Sequence, residues 1–185
     1  MTSETTRNSE RTRREILTAA RDELKVRGMA MSLQHVATTA GISKSGLLHH
    51  FASKNELLLA VLEDYLVNIR QGVRDYVDLS ENRPGKTLRA YVRALCEPES
   101  ALRVEFANFA DISMHLGDVE GVEALEEEDN LYWREFLAND GLDPDRILLV
   151  RYAAEGLASA SCYDASVVTD DLPRALPMLL RMTED

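Results

Sequence analysis

The stretch SLQHVATTAGISKSGLLHHFASK, from Ser32 to Lys54, decides the fold of this chain. Ser32 is followed by apolar residues spaced three and four apart, namely Leu33, Val36, Ala37 and Ala40. This spacing predicts a short helix that the serine hydroxyl caps. Gly41 tolerates the left-handed backbone that follows a helix C-terminus, and Ser43 supplies the cap of a second helix. The stretch therefore predicts two short helices joined by a glycine turn.

The second of these helices, from Lys44 to His50, has one face for packing and one for recognition. It has only about two turns, so packing through Leu47 must hold it in place. Its other face carries small, basic and hydrogen-bonding groups beside Gly46, which suits the major groove of DNA. The pattern is that of a helix-turn-helix, and the candidate DNA-binding residues are Ser32, Gln34, Ser43, Lys44, Ser45, Gly46, Leu48, His49 and Lys54.

A further helix starts directly after this pair. Ser53 and Glu56, three residues apart, have the spacing of a capping box. Lys54 follows the cap, beside the N-terminal amides, where it is well placed to meet a phosphate. An ordinary helical hairpin is the alternative, since many all-helical proteins contain a glycine-linked pair of short helices.

The order of the residues favours the first interpretation. The segments SL (32–33), VA (36–37), AGISK (40–44), Leu47, HF (50–51) and SK (53–54) resemble the signature of the TetR (tetracycline-repressor-like) family of bacterial transcription regulators. The resemblance covers about the first third of the chain. One departure is Leu48, where the family usually has a tyrosine whose hydroxyl contacts a phosphate. We expect that contact to be lost and His49 to substitute for it in part.

The resemblance implies an all-α homodimer. An N-terminal three-helix head, residues 1–53 with a disordered arm at 1–7, would bind DNA through its helix-turn-helix. Residues 54–185 would bind a small-molecule effector and dimerise. The implied function is sequence-specific regulation of transcription, most simply as a repressor that binds a palindromic operator and is released by the effector.

The charge of −11 divides unevenly along the chain. Through Glu56 there are nine basic and six acidic residues, and the remainder has 12 basic and 26 acidic residues. A head of about +3 would turn towards polyanions, while the acidic body would stay away from them. An acidic surface that only aids solubility explains the body equally well. Four arginines precede or open the first helix and could follow a DNA backbone or be ordinary solvated side chains: Arg7, Arg11, Arg13 and Arg14.

Beyond the head, the apolar spacing predicts a long fourth helix from Lys54 to near Leu79 and five more helices, about nine in all. Their expected bounds are Thr87–Cys96, about Glu99–Leu116, Asp118 or Val119 to about Asn139, a helix opened by Asp143-Pro144, and a last helix from near Asp170 or Asp171. The fourth helix is long enough to reach from the head into the body. Geometry and the resemblance together suggest that it connects effector binding to the head.

The effector pocket is expected among apolar and aromatic residues of the middle helices. The candidates are Tyr65, Ile69, Tyr91, Glu105, Phe106, Phe109, Met114, Trp133 and Phe136. Most such side chains are core residues more often than ligand contacts, so core packing is the alternative for each. Glu105 needs a partner if it is buried, and a cationic ligand, an arginine or a tyrosine would each serve.

The resemblance also implies that the last two helices, at about 144–163 and 171–182, form a four-helix interface in the homodimer. Small residues between Ala153 and Ser161 would allow another helix to approach closely. Packing within one chain is the alternative.

Other function classes find little support in the sequence. His35, His49, His50 and His115 include no H-x-x-x-H pair, and neither a glycine-rich phosphate loop nor a nucleophile elbow occurs. Cys96 and Cys162 are far apart, without metal-ligand spacing, and are expected to be reduced core residues. We therefore expect no enzyme activity, cofactor or metal. No apolar run approaches the length of a membrane span, so a cytoplasmic protein is expected. A helical adaptor without DNA affinity remains a third possibility.

Overall fold

The computed structural model describes residues 2–116 and 119–184, with side chains from Thr6 onward. Within these ranges the chain is all-helical and contains no strand, which confirms the predicted all-α class with about nine helices. The helices are α1 (Thr2–Arg27), α2 (Leu33–Thr39), α3 (Lys44–His50), α4 (Lys54–Asp75), α5 (Lys86–Cys96), α6 (Ala101–Leu116), α7 (Val122–Ala138), α8 (Pro144–Ala160) and α9 (Leu172–Met182).

The chain divides into two compact units. Unit 1 comprises residues up to Asp64 together with Ile112–Glu123, and unit 2 comprises Tyr65–Asp111 and Ala124–Asp185. Helices α4 and α6 each contribute residues to both units.

The core of unit 1 is built on the apolar positions that the sequence pattern selects. Helix α1 packs against α2, and α2 packs against α3. Ile16, Val36, Leu47 and Phe51 are completely buried. Packing through Leu47 therefore holds the short α3, as its length requires.

Helix α1 begins at Thr2, within the segment 1–7 for which a disordered arm was expected. The difference has a local cause, because the chain from Thr2 to Arg27 holds no glycine or proline that would end a helix. Met1 lies outside the described residues.

Helix α5 forms the centre of unit 2. Eight of its 11 residues are buried, and α8 and α9 both pack against it. Two buried charged residues fix its N-terminal end. Asp140 accepts hydrogen bonds from the amides of Thr87 (2.9 Å) and Leu88 (2.7 Å). Arg89 donates to the carbonyl oxygens of Thr183 (2.6 Å) and Pro84 (2.7 Å). These bonds satisfy backbone groups that a helix end leaves without partners.

Helices α5 and α6 begin within two residues of their expected starts, whereas three other helix ends differ from the sequence expectation for a visible local reason. Helix α4 ends at Asp75, short of Leu79, because Asp78 accepts hydrogen bonds from the amide and hydroxyl of Ser80 in a turn. Helix α7 begins at Val122, since Gly121 before it has a φ of +95° that no α-helix accommodates. Asp118, an expected start of that helix, and Gly117, an expected end of the preceding one, lie outside the described residues.

The third difference concerns α9, which begins at Leu172. A π-helical turn, Val167–Asp171, leads directly into it, and Asp171 makes no side-chain cap. Pro177 lies inside α9 and lacks the amide that would donate to the carbonyl of Pro173. Helix α9 is therefore held mainly by packing of Leu172 and Leu179, both buried in the core of unit 2.

The two cysteines lie in different surroundings. Cys96 is buried in the core of unit 2, and burial raises the pKa of its thiol to about 12. Cys162 is exposed, so the expectation that both are core residues was wrong for this one. It lies just beyond α8, where the chain turns through Cys162 and Tyr163 at the surface.

Candidate DNA-binding surface and ligand cavity

Two serine caps and a glycine turn shape the helix-turn-helix of unit 1. The Ser32 hydroxyl accepts a hydrogen bond from the amide of His35 (3.2 Å), and the Ser43 hydroxyl accepts one from the amide of Gly46 (3.0 Å). Gly41 has a φ of +68°, in the left-handed region that favours glycine. The predicted caps and turn are thus present, and they fix the direction in which α3 leaves α2.

The free face of α3 presents the side chains that the sequence analysis selected. Lys44, Ser45 and His49 are exposed, and Leu48 has an exposed fraction of 40 %. Gly46 lies among them without a side chain, and a β-carbon there would meet the Ser43 hydroxyl at 3.2 Å. An exposed leucine on this face offers an apolar surface but no hydroxyl for a phosphate.

The remaining predicted DNA-binding residues take other positions. Gln34 is exposed on α2, and Ser32 and Ser43 use their hydroxyls as caps. Lys54 donates to the carbonyl of Met29 (2.7 Å), so its ammonium is engaged within unit 1. At the start of α4, Glu56 accepts from the amide of Ala52 (2.7 Å) while its own amide donates to the Ser53 hydroxyl (3.1 Å). The serine half of the predicted capping box is therefore present, whereas the Glu56 carboxylate binds the amide of Ala52 in place of that of Ser53.

Arg13 is a residue of this surface whose role the sequence analysis missed. Its guanidinium carbon lies 4.3 Å from the centre of the Phe51 ring, and it donates to the carbonyl of His50 at 3.4 Å. A cation at the C-terminus of α3 offsets the negative end of the helix dipole. The sequence placed Arg13 only within a group of four arginines, and no local signal distinguished it from the others.

A cavity of about 150 Å³ lies within unit 2. Four of the nine predicted ligand-binding residues line it, namely Tyr91, Phe106, Phe109 and Trp133. The Tyr91 and Trp133 rings meet edge to face with their centres 4.8 Å apart. Aromatic side chains from α5, α6 and α7 thus form much of the cavity wall.

The other five predicted residues do not line this cavity. Tyr65 and Ile69 are buried in the packing of α4, and Phe136 stacks on Tyr132 with ring centres 5.7 Å apart. Met114 is 74 % exposed, and Glu105 is half-buried on α6. The apolar spacing identified helix faces that point inward, but it could not separate cavity lining from core.

The polar lining of the cavity escaped the sequence analysis. It consists of Glu126, Asp129, Asn130, Arg151 and Glu155. Glu155 accepts from the Tyr91 hydroxyl (2.6 Å) and from Arg151 Nε (2.6 Å) at the same oxygen, Oε1. Arg151 also donates to the side-chain oxygen of Asn130 (3.1 Å). The spacing of Arg151 and Glu155, four residues apart on α8, was the one signal that could have indicated this pair.

A second polar group adjoins the first. Asp129 accepts from Trp133 Nε1 (3.0 Å) and from Arg70 Nε (2.7 Å), and Arg70 lies over the Tyr132 ring at 4.4 Å. These bonds orient the Trp133 indole in the cavity wall. They also link α4 to α7 inside unit 2.

Burial and charge shift the ionisation of three of these groups. Burial, and after it the Glu155 carboxylate, raises the pKa of Tyr91 well above its ordinary value, so the phenol keeps its proton and donates. Burial also raises the pKa of Asp129, although Arg70 and Trp133 donate to it. Burial by itself would lower the pKa of the Arg151 guanidinium. Its interactions with Glu155 and Tyr91 have the larger combined effect, so the pKa is raised.

An apolar groove of about 280 Å³ lies along α7 and α8 and shares Trp133 and Arg151 with the cavity. Leu148 and Tyr152, on its α8 side, are about half exposed. The small residues of α8 divide between two environments, since Ala154 and Ala158 are buried in the core while Ala153 and Gly156 are exposed. Part of the small-residue stripe therefore serves packing within the chain.

No group of three or more histidine, cysteine, aspartate or glutamate side chains among residues 2–116 and 119–184 could hold a metal ion. Nor is any helix in these ranges both long and apolar enough to cross a membrane.

The chain matches two protein-family models. The model described as "Bacterial regulatory proteins, tetR family" matches residues 16–61, and the model described as "Tetracyclin repressor-like, C-terminal domain" matches residues 85–184. The first match contains the capped helices and the glycine turn. The second contains most of unit 2, including the cavity.

Individual proteins are similar to parts or to the whole of the chain. Over 84 residues, 44% of this chain, it is 40% identical to the HTH-type transcriptional activator FasR of Mycolicibacterium smegmatis, and the match spans only 37% of FasR. A transcriptional regulator from Rhodococcus sp. Rha1 has a TM-score of 0.75 at 19% identity, covering 92% of this chain and 95% of that one. The multidrug binding protein EbrR, complexed with malachite green, has a TM-score of 0.69 at 18% identity, covering 94% and 98%. These structural likenesses show the fold.

The geometry and the family matches agree. The serine caps, the glycine turn and the free face of α3 form a helix-turn-helix within the segment that the tetR model matches. The C-terminal model alone spans more than half of the chain. This chain belongs to the TetR family of bacterial regulatory proteins and is a DNA-binding transcriptional regulator, not an enzyme.

Proposed function

We propose that this regulator acts as a homodimeric repressor that binds a palindromic operator and leaves it when a small molecule occupies the cavity of unit 2. The observation that carries the proposal is the free face of α3, where Lys44, Ser45 and His49 surround Gly46. A side-chain-free position lets a helix approach base edges closely, and the flanking groups can donate to bases and phosphates. DNA as the target also implies a cytoplasmic protein.

The exposed apolar side chains of the last two helices support the homodimer. Leu149 and Tyr152 on α8 and Met178 on α9 are each at least half exposed. They fall within the proposed interface at about 144–163 and 171–182. A two-fold dimer would bury them and present two α3 helices to successive major grooves, about 34 Å apart or a multiple of that.

The cavity supports control by an effector. A ligand that binds better to the conformation without DNA shifts the population towards that conformation. Helix α4 contributes Lys54 to Asp64 to unit 1 and Tyr65 to Asp75 to unit 2, so it connects the two covalently. EbrR, which shares the fold, is a multidrug binding protein in complex with malachite green.

The test must distinguish repression of transcription from activation, because FasR, which is similar to part of this chain, is an activator. The experiment selects duplexes from a random pool with the purified protein and then measures binding of the selected duplex against salt. We expect a palindromic site and a log–log salt slope of about −0.9 per neutralised phosphate. A slope near zero would contradict DNA binding. The protein should reduce expression of a reporter gene placed behind the selected site. Increased expression would contradict repression and indicate an activator.

A further inference from the structure

We propose that the unit 2 cavity selects a single-ring phenol, whose hydroxyl donates a hydrogen bond to Glu155. This inference rests on the proposed role of the cavity as the effector site. Three features of the lining support it: an open acceptor oxygen on Glu155, an open donor on Asn130, and aromatic walls around a space that fits one ring.

Glu155 has one carboxylate oxygen that is engaged and one that is open. Its Oε1 accepts hydrogen bonds from the Tyr91 hydroxyl (2.6 Å) and from Arg151 Nε (2.6 Å). Its Oε2 accepts no hydrogen bond from any residue that the structure describes, although Glu155 lines the cavity. The side chain is 19% exposed, so this oxygen is not sealed in the core. Because both oxygens of a carboxylate accept hydrogen bonds, a ligand can donate to Oε2 while the contacts of Oε1 persist.

Tyr91 is an example, within the chain, of the donor that this carboxylate accepts. Its phenol donates to Oε1 of Glu155 at 2.6 Å, the short distance typical of a hydrogen bond to a charged acceptor. A ligand phenol at Oε2 would repeat this bond on the neighbouring oxygen. A phenol is also neutral near pH 7, since its ordinary pKa is about 10. Its binding therefore needs no charge opposite to that of the lining.

Asn130 adds an open donor to the lining. Its side-chain oxygen accepts from Arg151 Nη2 (3.1 Å), and its side-chain N–H groups donate to no acceptor among the described residues. The Arg151 guanidinium thus holds Glu155 at Nε and Asn130 at Nη2. A hydroxyl both donates and accepts, so it suits both kinds of open group. An ether oxygen only accepts, and a methyl group does neither.

The walls and the volume of the cavity fit one aromatic ring. The Tyr91 and Trp133 ring centres lie 4.8 Å apart, and those of Phe106 and Phe109 lie 6.5 Å apart. A further ring can stack on such side chains or meet their edges with centres about 4.5 to 7 Å apart. The cavity has about 150 Å³, and an apolar cavity of about that volume holds one benzene molecule. A ligand with a single ring and a small substituent therefore suits this space.

Phenol, anisole and toluene form a matched set of probes, since they share one ring and differ only in its substituent. Trp133, the single tryptophan of the chain, lines the cavity and reports binding by its fluorescence, excited at the long-wavelength edge where phenol absorbs little. Titration of the full chain should show saturable binding of phenol about tenfold tighter than that of anisole or toluene, because only phenol can donate to a charged acceptor. Equal or tighter binding of anisole or toluene, or binding of none of the three, would overturn the inference.

A pair of variants tests the acceptor itself. Glu155→Gln leaves one acceptor oxygen for Tyr91 and Arg151 and replaces the open oxygen with an amide nitrogen that cannot accept. We expect E155Q to weaken phenol binding about tenfold without weakening toluene binding. Glu135→Gln makes the same change at an exposed position of α7 outside the lining and should leave both probes unchanged.

Two results with E155Q would contradict the role of Oε2. Equal losses for phenol and toluene would indicate a structural effect, and unchanged phenol binding would show that the acceptor is not used. If E155Q does not fold, the comparison of the three probes on the parent chain decides.

Parallel DNA binding separates this inference from the proposed function. If phenol binds most tightly but leaves the selected duplex bound, the ligand class stands and release by the effector fails. If toluene binds more tightly than phenol and releases the duplex, the regulator proposal stands and the phenolic class fails.

Discussion

The guanidinium of Arg13 lies over the Phe51 ring, 4.3 Å from its centre, and ties α1 to the C-terminal end of α3. The same group donates to the carbonyl of His50, the last residue of α3. Because α3 is a helix of seven residues, its orientation depends on such contacts more than on its own hydrogen bonds.

Arg13→Ala should lower the free energy of unfolding by about 1 kcal/mol, since it removes an exposed cation–π contact and a charged hydrogen bond. Arg13→Lys should recover part of this loss, because lysine keeps the charge but not the planar stack. Urea denaturation measures both variants. Arg14→Ala, a neighbouring exposed arginine, is the control and should change stability by less than about 0.5 kcal/mol. Equal losses at both positions would remove the role assigned to Arg13.

Lys44 and Lys54 should differ in how they affect DNA binding. Lys44→Ala should weaken binding and relax base preference, because Lys44 lies on the free face of α3. Lys54 donates one hydrogen bond to Met29 but keeps its charge and two further N–H groups for a phosphate. Lys54→Ala should therefore weaken binding to all duplexes alike and reduce the salt slope by about 1. Anisotropy with a selected and a scrambled duplex separates the two effects. Lys25→Ala on α1 provides a control for loss of one exposed positive charge, and identical profiles for Lys44 and Lys54 variants would contradict the assignment.

We expect the parent chain to be the proposed homodimer at micromolar concentration and Leu149→Glu to be a monomer, because the substitution places a charge within the proposed apolar interface. Sedimentation velocity reads the outcome directly. Leu79→Glu introduces the same charge at a side chain that is 84% exposed between α4 and α5, and it should leave the dimer intact. If L149E remains dimeric, the interface lies elsewhere.

Asp140→Ala should be among the more destabilising polar substitutions in unit 2. It leaves the amides of Thr87 and Leu88 without their acceptor, one of them buried, at a cost of about 2 to 4 kcal/mol. Asp140→Asn retains one acceptor oxygen and should cost less. The exposed cap Asp143, which accepts from Asp145 and Arg146 at 3.1 Å, is the comparison, and its alanine variant should cost about 1 kcal/mol. Urea midpoints that rank D143A below D140A would contradict this order.

The buried thiol of Cys96 should make stability fall at high pH. Burial raises its pKa from 9.0 to about 12, so above about pH 9 the unfolded chain loses a proton that the folded chain retains. The stabilisation is present below the unfolded pKa and is lost as the pH rises towards the folded pKa. The loss of unfolding free energy between pH 8 and 10 should be about 1 kcal/mol smaller in Cys96→Ala than in the parent chain. The pH-independent cost of the substitution cancels, because each protein is compared with itself at pH 8 and pH 10. Equal losses of unfolding free energy in the parent chain and in Cys96→Ala would contradict the role assigned to the Cys96 thiol.

Local signals in the sequence predicted the helix-turn-helix well. The Ser32 and Ser43 caps and the positive φ of Gly41 could be predicted because each depends only on residues within one turn of the chain. The all-α class followed from apolar spacing for the same reason. The end of α4 and the start of α7 were missed by a few residues, where the Asp78 turn and the φ of Gly121 outweigh helical spacing.

The cavity depends on contacts that no local pattern contains. Tyr91, Asp129 and Glu155 belong to three helices, and their hydrogen bonds form only when α5, α7 and α8 pack together. Aromatic spacing therefore predicted four of the wall residues but none of the polar ones. Arg13 was equally hidden, since its partners lie 37 and 38 residues further along the chain.

The prolines of α9 bear on the order in which the chain folds. An 11-residue helix that contains Pro173 and Pro177 cannot persist by itself, because Pro177 leaves the carbonyl of Pro173 without an intrahelical donor. Helix α9 must then form on a surface that α5 has already presented, where Leu172 and Leu179 become buried. We therefore expect α9 to form after α5 during folding and, on heating, to unfold before the packing of α5 against α8 is lost.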